Sequence, residues 1–235
     1  MPKVCIVIPA YNESAVIYKV ITDIDRLLSK SSFSYHIVVV DDGSKDSTAK
    51  EARRAGAHVI RHLVNTGSGG STATGLSYAY RKRFDIAATI DADGQHNPKD
   101  LIKGLKLMNH KNNQCDLLIG SRLIKTNNMS YLKFVGNRGL SFMTFLLFGV
   151  KVTDSQSGLR IFSSKALDSL KWKSSGYEFC SEMLWRAKQQ KLIIKEYPIK
   201  AIYTDYSKAK GQSNWNAYNI VLYLLKRRLI ELVNE

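Results

Sequence analysis

Thr89-Ile90-Asp91-Ala92-Asp93-Gly94-Gln95-His96 decides the fold of this chain, because it places two carboxylates at the end of an apolar run. The run itself, residues 86–90, predicts a buried strand. In an open α/β sheet, ligands bind at the carboxyl ends of the strands. Asp91 and Asp93 are therefore placed to share one hard cation, with the amide oxygen of Gln95 as a third ligand. Mg²⁺ or Mn²⁺ suits such oxygen donors. The alternative interpretation is a solvated turn that leads into the next helix.

Composition narrows the class of partner. The chain has 235 residues, of which 44% are apolar, and this is enough for one sizeable core. Its formal net charge of +15 favours an anionic partner: nucleic acid, a phosphorylated substrate or an acidic membrane face. Cys5, Cys115 and Cys180 are widely spaced and match no metal or disulfide framework. We therefore expect a globular protein of a reducing compartment.

Apolar runs and helical patterns alternate along the chain. Besides the run at 86–90, strands are predicted at residues 4–8, 37–40, 57–61, 116–120 and 193–199. Helices are predicted at residues 14–28, 101–109, 131–148 and 178–190. This alternation predicts an α/β fold with a mostly parallel central sheet, right-handed crossovers and flanking helices.

A glycine-rich segment, residues 65–75, opens a further helix that runs to about residue 82. Its backbone amides are candidates for contact with a phosphate. It lacks both the P-loop ending and the dinucleotide fingerprint. A turn with a close helix contact is the other interpretation, and the sequence leaves both open.

Two helical segments raise the question of a membrane surface. Residues 131–148 are rich in Phe, Leu and Met, which suits a core helix and a membrane-facing helix equally. Residues 216–235 predict an amphipathic helix with a basic patch at 226–228, as in interfacial helices, although packing on the domain's own core fits as well. We therefore divide the chain into a main domain, residues 1–215, and a C-terminal amphipathic helix, residues 216–235, for which docking on a membrane or a partner and packing on the core both stay open.

Five motifs in order resemble a known family. They are Pro-Ala-Tyr-Asn-Glu (9–13), Val-Asp-Asp-Gly-Ser (40–44), Asp-Ala-Asp-Gly-Gln-His (91–96), Gly-Ser-Arg (120–122) and Ser-Gly-Leu-Arg (157–160). In order and spacing they resemble the family 2 glycosyltransferases of GT-A fold, and within them the polyprenyl-phosphate sugar synthases. The resemblance covers nearly the whole chain.

The resemblance implies roles for individual residues. The nucleotide base and ribose of a sugar donor would be held by Pro9, Tyr11, Glu13, Val40 and Asp42. Asp91, Asp93 and Gln95 would hold Mg²⁺ or Mn²⁺, and Ala92 would line that site. Donor or acceptor phosphates would be bound by Arg122, Arg138 and Arg160. Asp154 matches a base or an orienter of the acceptor, and Lys208 matches a cationic donor-binding position.

The implied function is an inverting, metal-dependent transfer of a sugar from a UDP- or GDP-linked donor to a polyprenyl phosphate. It would serve the assembly or modification of cell-surface glycans. An acceptor monophosphate is already anionic near neutral pH, so a strong general base is not essential. We expect a cytoplasmic protein that is peripheral on the inner face of the cell membrane, with a small separate membrane protein as one candidate partner.

Other functions are weighed against this one. A glycosyltransferase that uses a soluble or glycan acceptor is the main alternative. A sugar-phosphate nucleotidyltransferase should carry a glycine-rich signature near the first strand, and residues 9–13 do not supply one. A nucleic-acid-binding module is suggested only by charge. Its basic residues should cluster with aromatic residues that stack on bases, whereas the arginines here follow strand ends and acidic motifs. We therefore expect no nucleic acid partner.

Overall fold

A computed structural model of the chain describes residues 1–110, 112–125, 129–202, 220–226 and 228. The strands are β1 (Lys3–Ala10), β2 (Ser34–Asp41), β3 (His58–Arg61), β4 (Ile86–Thr89), β5 (Leu117–Ser121), β6 (Arg160–Ser163) and β7 (Ile194–Pro198). The helices are α1 (Ile17–Leu28), α2 (Thr48–Arg54), α3 (Gly67–Arg81), α4 (Pro98–Met108), α5 (Tyr131–Phe148), α6 (Ser164–Ser169) and α7 (Phe179–Gln189).

The strands form one seven-stranded sheet in the order β3-β2-β1-β4-β6-β5-β7. All neighbours pair in parallel except β6, which runs antiparallel between β4 and β5. The predicted α/β fold with a mostly parallel sheet is therefore confirmed. The antiparallel strand was not predicted, because β6 is only four residues long and only Ile161 and Phe162 in it are apolar.

Each face of the sheet carries its own hydrophobic core, because alternate residues of a strand point to opposite faces. Ile6 and Ile8 of β1 lie in the core that α1 and α4 cover. Cys5 and Val7 of the same strand lie in the core that α3, α5, α6 and α7 cover. Burial on both faces explains why the central strands read as continuous apolar runs.

Helix α5 has one buried side and one exposed apolar side. Leu140 and Phe148 are buried in the second core. The other side exposes large apolar side chains, with exposed fractions of 82% for Tyr131, 60% for Phe142 and 62% for Leu146. The helix therefore packs in the second core and also exposes an apolar surface. Within the described residues, no helix combines the length and the apolar character that a membrane crossing requires.

The C-terminal segment also packs on the domain. Residues 220–226 are helical, and Ile220 and Leu224 are buried in the second core. Leu222 and Leu225 are exposed on the same segment. The structure thus supports packing on the domain's own core for one face of this helix. The boundary at residue 215 falls outside the described residues and stays a prediction.

Candidate active site

The carboxyl ends of β1, β2, β4, β5 and β7 and the amino end of the antiparallel β6 share one edge of the sheet. Asp91 lies at this edge, two residues after β4 ends. Its Oδ2 lies 2.9 Å from Nε2 of the buried His96. Partial loss of solvent raises the pKa of the Asp91 carboxyl, but the hydrogen bond with His96 and the charges of Arg122 and Arg160 outweigh it and lower the pKa below its usual range. Asp91 is therefore an anion at neutral pH.

The loop before β6 packs directly on this carboxylate. A Cβ atom on Gly158 would overlap both carboxylate oxygens and Cγ of Asp91, at separations that real Cβ atoms do not show. The carbonyl oxygen of Gly158 also accepts a hydrogen bond from the hydroxyl of Thr89, at 2.8 Å. Glycine at this position thus lets the loop approach Asp91 without displacing it.

Asp93 is the second carboxylate of the predicted metal site. Its Oδ1 accepts from the main-chain N–H of Gln95 at 2.9 Å, and its Oδ2 accepts from the Gln95 amide at 2.6 Å. Loss of solvent raises the pKa of Asp93, and the negative charges of Asp91 and Glu13 raise it further. The structure therefore brings Asp91 and Asp93 close enough to repel each other, with Gln95 beside Asp93.

This donor set fits a divalent cation, because a positive ion relieves the repulsion between two carboxylates and takes oxygen ligands. Within the described part of the chain, no group of three or more His, Cys, Asp and Glu side chains is arranged to hold a metal. The metal roles of Asp91, Asp93 and Gln95 therefore stay predictions.

Arg122 and Asp154 form an ion pair at the same edge. Arg122 follows β5, and its Nε and Nη2 donate to Oδ2 and Oδ1 of Asp154 at 2.7 Å and 2.9 Å. The main-chain N–H of Arg122 donates to Oδ2 as well, at 3.1 Å. Burial alone would raise the pKa of Asp154, but the charge and hydrogen bonds of Arg122 lower it below its usual range. The ionised Asp154 is thus paired with Arg122 and has no exposed surface, and its role as a base or an orienter of the acceptor stays a prediction.

Arg160 has a different environment from the one expected of a phosphate ligand. Its side chain is buried, with only 1% of the residue exposed. The guanidinium donates to the carbonyl oxygens of Ser155, Ser157 and Cys180 at 2.7, 2.9 and 3.3 Å. It therefore fixes the loop before β6, and its predicted phosphate contact would require these bonds to rearrange. That contact stays a prediction.

Arg138, the third predicted phosphate ligand, is exposed on α5. It lies one turn before Ser141, whose hydroxyl oxygen accepts from the main-chain N–H of Ser155 at 2.9 Å. The helix thus packs against the loop before β6. Lys208, the predicted donor-binding cation, lies outside the described residues.

The residues predicted to hold the nucleotide lie at the ends of the neighbouring strands β1 and β2. Pro9 and Val40 are register partners in that pair. Tyr11 is exposed, whereas Glu13 and Val40 are buried, as is Ala92 near the two aspartates. The predicted residues are thus neighbours at one edge, and their roles stay predictions.

Asp42 organises a loop in addition to any contact with a nucleotide. Its Oδ1 lies 2.7 Å from Nδ1 of His62 and accepts from the N–H and the hydroxyl of Thr66, at 2.9 and 2.7 Å. Its Oδ2 accepts from the N–H of Gly67 at 2.8 Å. This buried carboxylate therefore fixes the N-terminal end of α3. His62 and Thr66 are not predicted from the sequence, where their only signal is their place just before and inside the glycine-rich segment.

The glycine-rich segment packs closely against the main chain of residues 174 and 175. The N–H of Gly69 donates to the carbonyl oxygen of Ser175 at 2.6 Å, and the N–H of Gly70 points to the same oxygen at 3.4 Å. A Cβ on Gly67 or Gly69 would overlap the main-chain oxygens of residues 174 and 175. Because these amides have partners within the protein, the structure favours the close helix contact over the phosphate contact.

Comparison with solved structures defines the class of fold. Glucosyl-3-phosphoglycerate synthase from Mycobacterium tuberculosis, in complex with Mn²⁺, UDP and glucosyl-3-phosphoglycerate, matches with a TM-score of 0.69 and 20% identity. The match covers 97% of this chain and 80% of the other. At this identity it shows the fold alone, a GT-A-like α/β fold. Residues 5–171 match Glycosyl transferase family 2, and the chain belongs to that family.

Two relatives extend the comparison. The chain is 42% identical over 246 residues to UDP-N-acetylglucosamine–dolichyl-phosphate N-acetylglucosaminyltransferase of Methanococcus voltae, covering 95% of each chain. It is 27% identical over 206 residues to polyprenol monophosphomannose synthase of Mycolicibacterium smegmatis, covering 83% of this chain and 75% of the relative. The predicted resemblance to family 2 glycosyltransferases is therefore confirmed, and the chain is a glycosyltransferase.

Proposed function

We propose that this glycosyltransferase moves a sugar from a nucleoside-diphosphate sugar to a polyprenyl phosphate and inverts the anomeric configuration. The observation that carries the proposal is the convergence of anionic and cationic side chains at one sheet edge. Asp91 and Asp93 repel each other there, and the charge of Arg122 lowers the pKa of Asp91. Such an edge suits two phosphorylated substrates that meet around a cation.

Asp91 and Asp93 would hold Mg²⁺ or Mn²⁺ with Gln95 beside them, and a bound cation would supply positive charge to the departing nucleoside diphosphate. The carboxylate of Asp154 would hold the Arg122 guanidinium in one orientation, which favours bidentate contact with a phosphate. The acceptor phosphate is anionic at neutral pH, so positioning by arginine is needed more than proton removal.

A uridine diphosphate sugar is the favoured donor, with GDP-linked sugars as the alternative. Support comes from the relative in Methanococcus voltae, whose name states a UDP-N-acetylglucosamine donor and a dolichyl-phosphate acceptor. The structural neighbour from Mycobacterium tuberculosis was solved with Mn²⁺ and UDP. UDP-N-acetylglucosamine is therefore the first donor to test.

The test is a transfer assay with radiolabelled UDP-N-acetylglucosamine, dolichyl or undecaprenyl phosphate, and Mn²⁺ or Mg²⁺. Label should move into the lipid extract, and excess chelator should prevent it. Asp93→Asn should lose transfer, whereas the matched control Asp23→Asn, a half-buried residue of α1 that pairs with Lys19 and Arg26, should keep it. Transfer that survives chelation and Asp93→Asn would refute the metal-bridged mechanism. Label that moves only to a soluble acceptor would support the alternative acceptor class.

The lipid acceptor implies work at a membrane surface, and the exposed apolar side of α5 is suited to it. Phe142 and Leu146 are exposed on this helix, and apolar burial of this kind resists salt. Lysines and arginines near an anionic leaflet contribute about 1 kcal/mol each, and salt screens that part. We infer peripheral attachment to the cytoplasmic face of the membrane, with a small membrane protein as a further partner.

Flotation with vesicles that contain anionic lipid tests this attachment. The full chain should float at low salt and in part at high salt. Phe142→Ser with Leu146→Ser should reduce the salt-resistant part, and Leu107→Ser on α4 serves as the control. If the full chain stays at the bottom of the gradient at low salt, the attachment is not intrinsic to this protein.

A further inference from the structure

Glu196 on β7 accepts hydrogen bonds from the turn that carries Asp154. The main-chain N–H of Thr153 donates to both carboxylate oxygens of Glu196, at 2.9 Å and 2.8 Å. The N–H of Asp154 and the hydroxyl of Thr153 donate to Oε1, at 3.2 Å and 2.8 Å. One side chain from the edge strand therefore fixes two consecutive peptide groups.

The same turn is tied to β5, the strand beside β7. The hydroxyls of Thr153 and Ser121 lie 2.6 Å apart. Ser121 is the last residue of β5, and Arg122 follows it directly. The Asp154 carboxylate then holds the side chain and the main-chain N–H of Arg122. A continuous path of contacts thus leads from Glu196 through the turn to the guanidinium of Arg122.

The chemistry of this path argues against a purely structural tie. The turn carries one carboxylate, Asp154, and is held by a second one, Glu196, although like charges cost free energy when they are close. Backbone donors in a turn are satisfied as well by neutral acceptors or by water. The specific effect of the second carboxylate is on Arg122, because the turn that it fixes carries Asp154, which pairs with Arg122 in bidentate geometry.

We propose that Glu196 is a positioning residue for sugar transfer: it fixes the Thr153–Asp154 turn so that Asp154 holds Arg122 in one orientation. Its effect on catalysis rests on the proposed function, in which Arg122 binds a phosphate. Its effect on the orientation of Arg122 does not depend on that function. The two consequences are measured separately.

The first measurement is the hydrogen-exchange rate of the Arg122 Nε–H group by ¹⁵N NMR, with Arg122→Lys used to assign the signal. Glu196→Ala should speed exchange, because Asp154, the acceptor of this Nε–H, is no longer held in place by Glu196. Glu196→Gln preserves size but replaces one acceptor oxygen with an amide group, so it should speed exchange less. Lys195→Ala is the matched control, because Lys195 lies next to Glu196 on β7 and its Nζ donates to Oδ1 of Asn113 at 2.7 Å. Exchange at Arg122 should not change in this variant.

The second measurement is steady-state transfer. A displaced Arg122 should lower kcat by about 10- to 100-fold, with the KM for the nucleotide sugar unchanged. Because Glu196 acts through Asp154, the double variant Glu196→Ala/Asp154→Ala should transfer no more slowly than Asp154→Ala alone. Independent structural damage would instead multiply the two losses.

The outcomes separate the inference from the proposed function. Unchanged Arg122 exchange in both Glu196 variants overturns the positioning role, as do losses that multiply in the double variant. Should Glu196→Ala fail to fold, Glu196→Gln still decides. If the wild-type protein transfers no sugar to a lipid phosphate, the proposed function fails, and the exchange rates still report whether Glu196 orients Arg122.

Discussion

Replacing Gly158 with alanine perturbs the candidate site through a single methyl group. The new Cβ would overlap the carboxylate of Asp91, so the carboxylate has to move away. The backbone at Gly158 is not in the left-handed region, and alanine therefore fits it without strain. The substitution thus tests the position of one carboxylate and leaves its charge in place.

The size of the effect follows from the overlap. Asp91 has to retreat by about 1 Å, and a misplacement of that size costs about 100-fold in rate. That loss corresponds to about 2.7 kcal/mol of transition-state stabilisation. The free energy of unfolding should fall by only about 1 kcal/mol, because the main loss is the hydrogen bond between Asp91 and His96.

The assay pairs kcat/KM with urea unfolding for Gly158→Ala and for a matched control. Gly176→Ala is that control, since its Cβ would also overlap a carboxylate, that of Glu178, for which no role in the site is predicted. The control should keep transfer. Full activity in Gly158→Ala, or an equal loss in both variants, would refute the reasoning that the position of Asp91 matters.

Three further predictions concern the framework of the site. Gly69→Ala should lower the free energy of unfolding by about 1–3 kcal/mol, because its Cβ overlaps the carbonyl oxygen of Ser174; an unchanged urea midpoint contradicts this packing. Asp42→Ala should cost at least about 3 kcal/mol in thermal unfolding, since several buried donors lose their acceptor; a loss below 1 kcal/mol, on the order of one surface substitution, speaks against it. The pKa of Asp154 is lowered by Arg122, so the ion pair stabilises the wild type above the unfolded pKa of about 3.9 and is lost as pH falls through the lower folded pKa. Between about pH 5 and pH 3, Asp154→Asn should therefore lose less stability than the wild type. Equal losses would show that Asp154 does not contribute to acid unfolding.

The sequence was sufficient for the elements that depend on local pattern. Continuous apolar runs predicted the central strands, because strands covered on both faces need apolar side chains at every position. Acidic and basic residues that follow those runs predicted the edge where Asp91, Asp93 and Arg122 meet. Family resemblance added the class of reaction, and the comparisons confirmed that class.

The rest depends on contacts between distant parts of the chain. Asp42 reads as a free acid at a strand end, but its partners come 20 to 25 residues later and are visible only in the folded chain. The family resemblance implies a phosphate contact for Arg160, and the sequence does not show that its side chain is buried among main-chain carbonyl oxygens. Glu196 gave no signal, since a glutamate on an edge strand is most often a solvated side chain.

The antiparallel strand β6 has a consequence for synthesis of the chain. It is the strand that joins β4 to β5, so β5 stays separate from the β3-β2-β1-β4 part of the sheet until residue 163 has been made. At about 5–20 residues per second, translation from the end of β5 to the end of β6 takes about 2 to 8 seconds. During that interval the facing edges of β4 and β5 have no partner strand, and open edges invite pairing with other chains. The completion of β6 therefore determines when these two strand edges become protected.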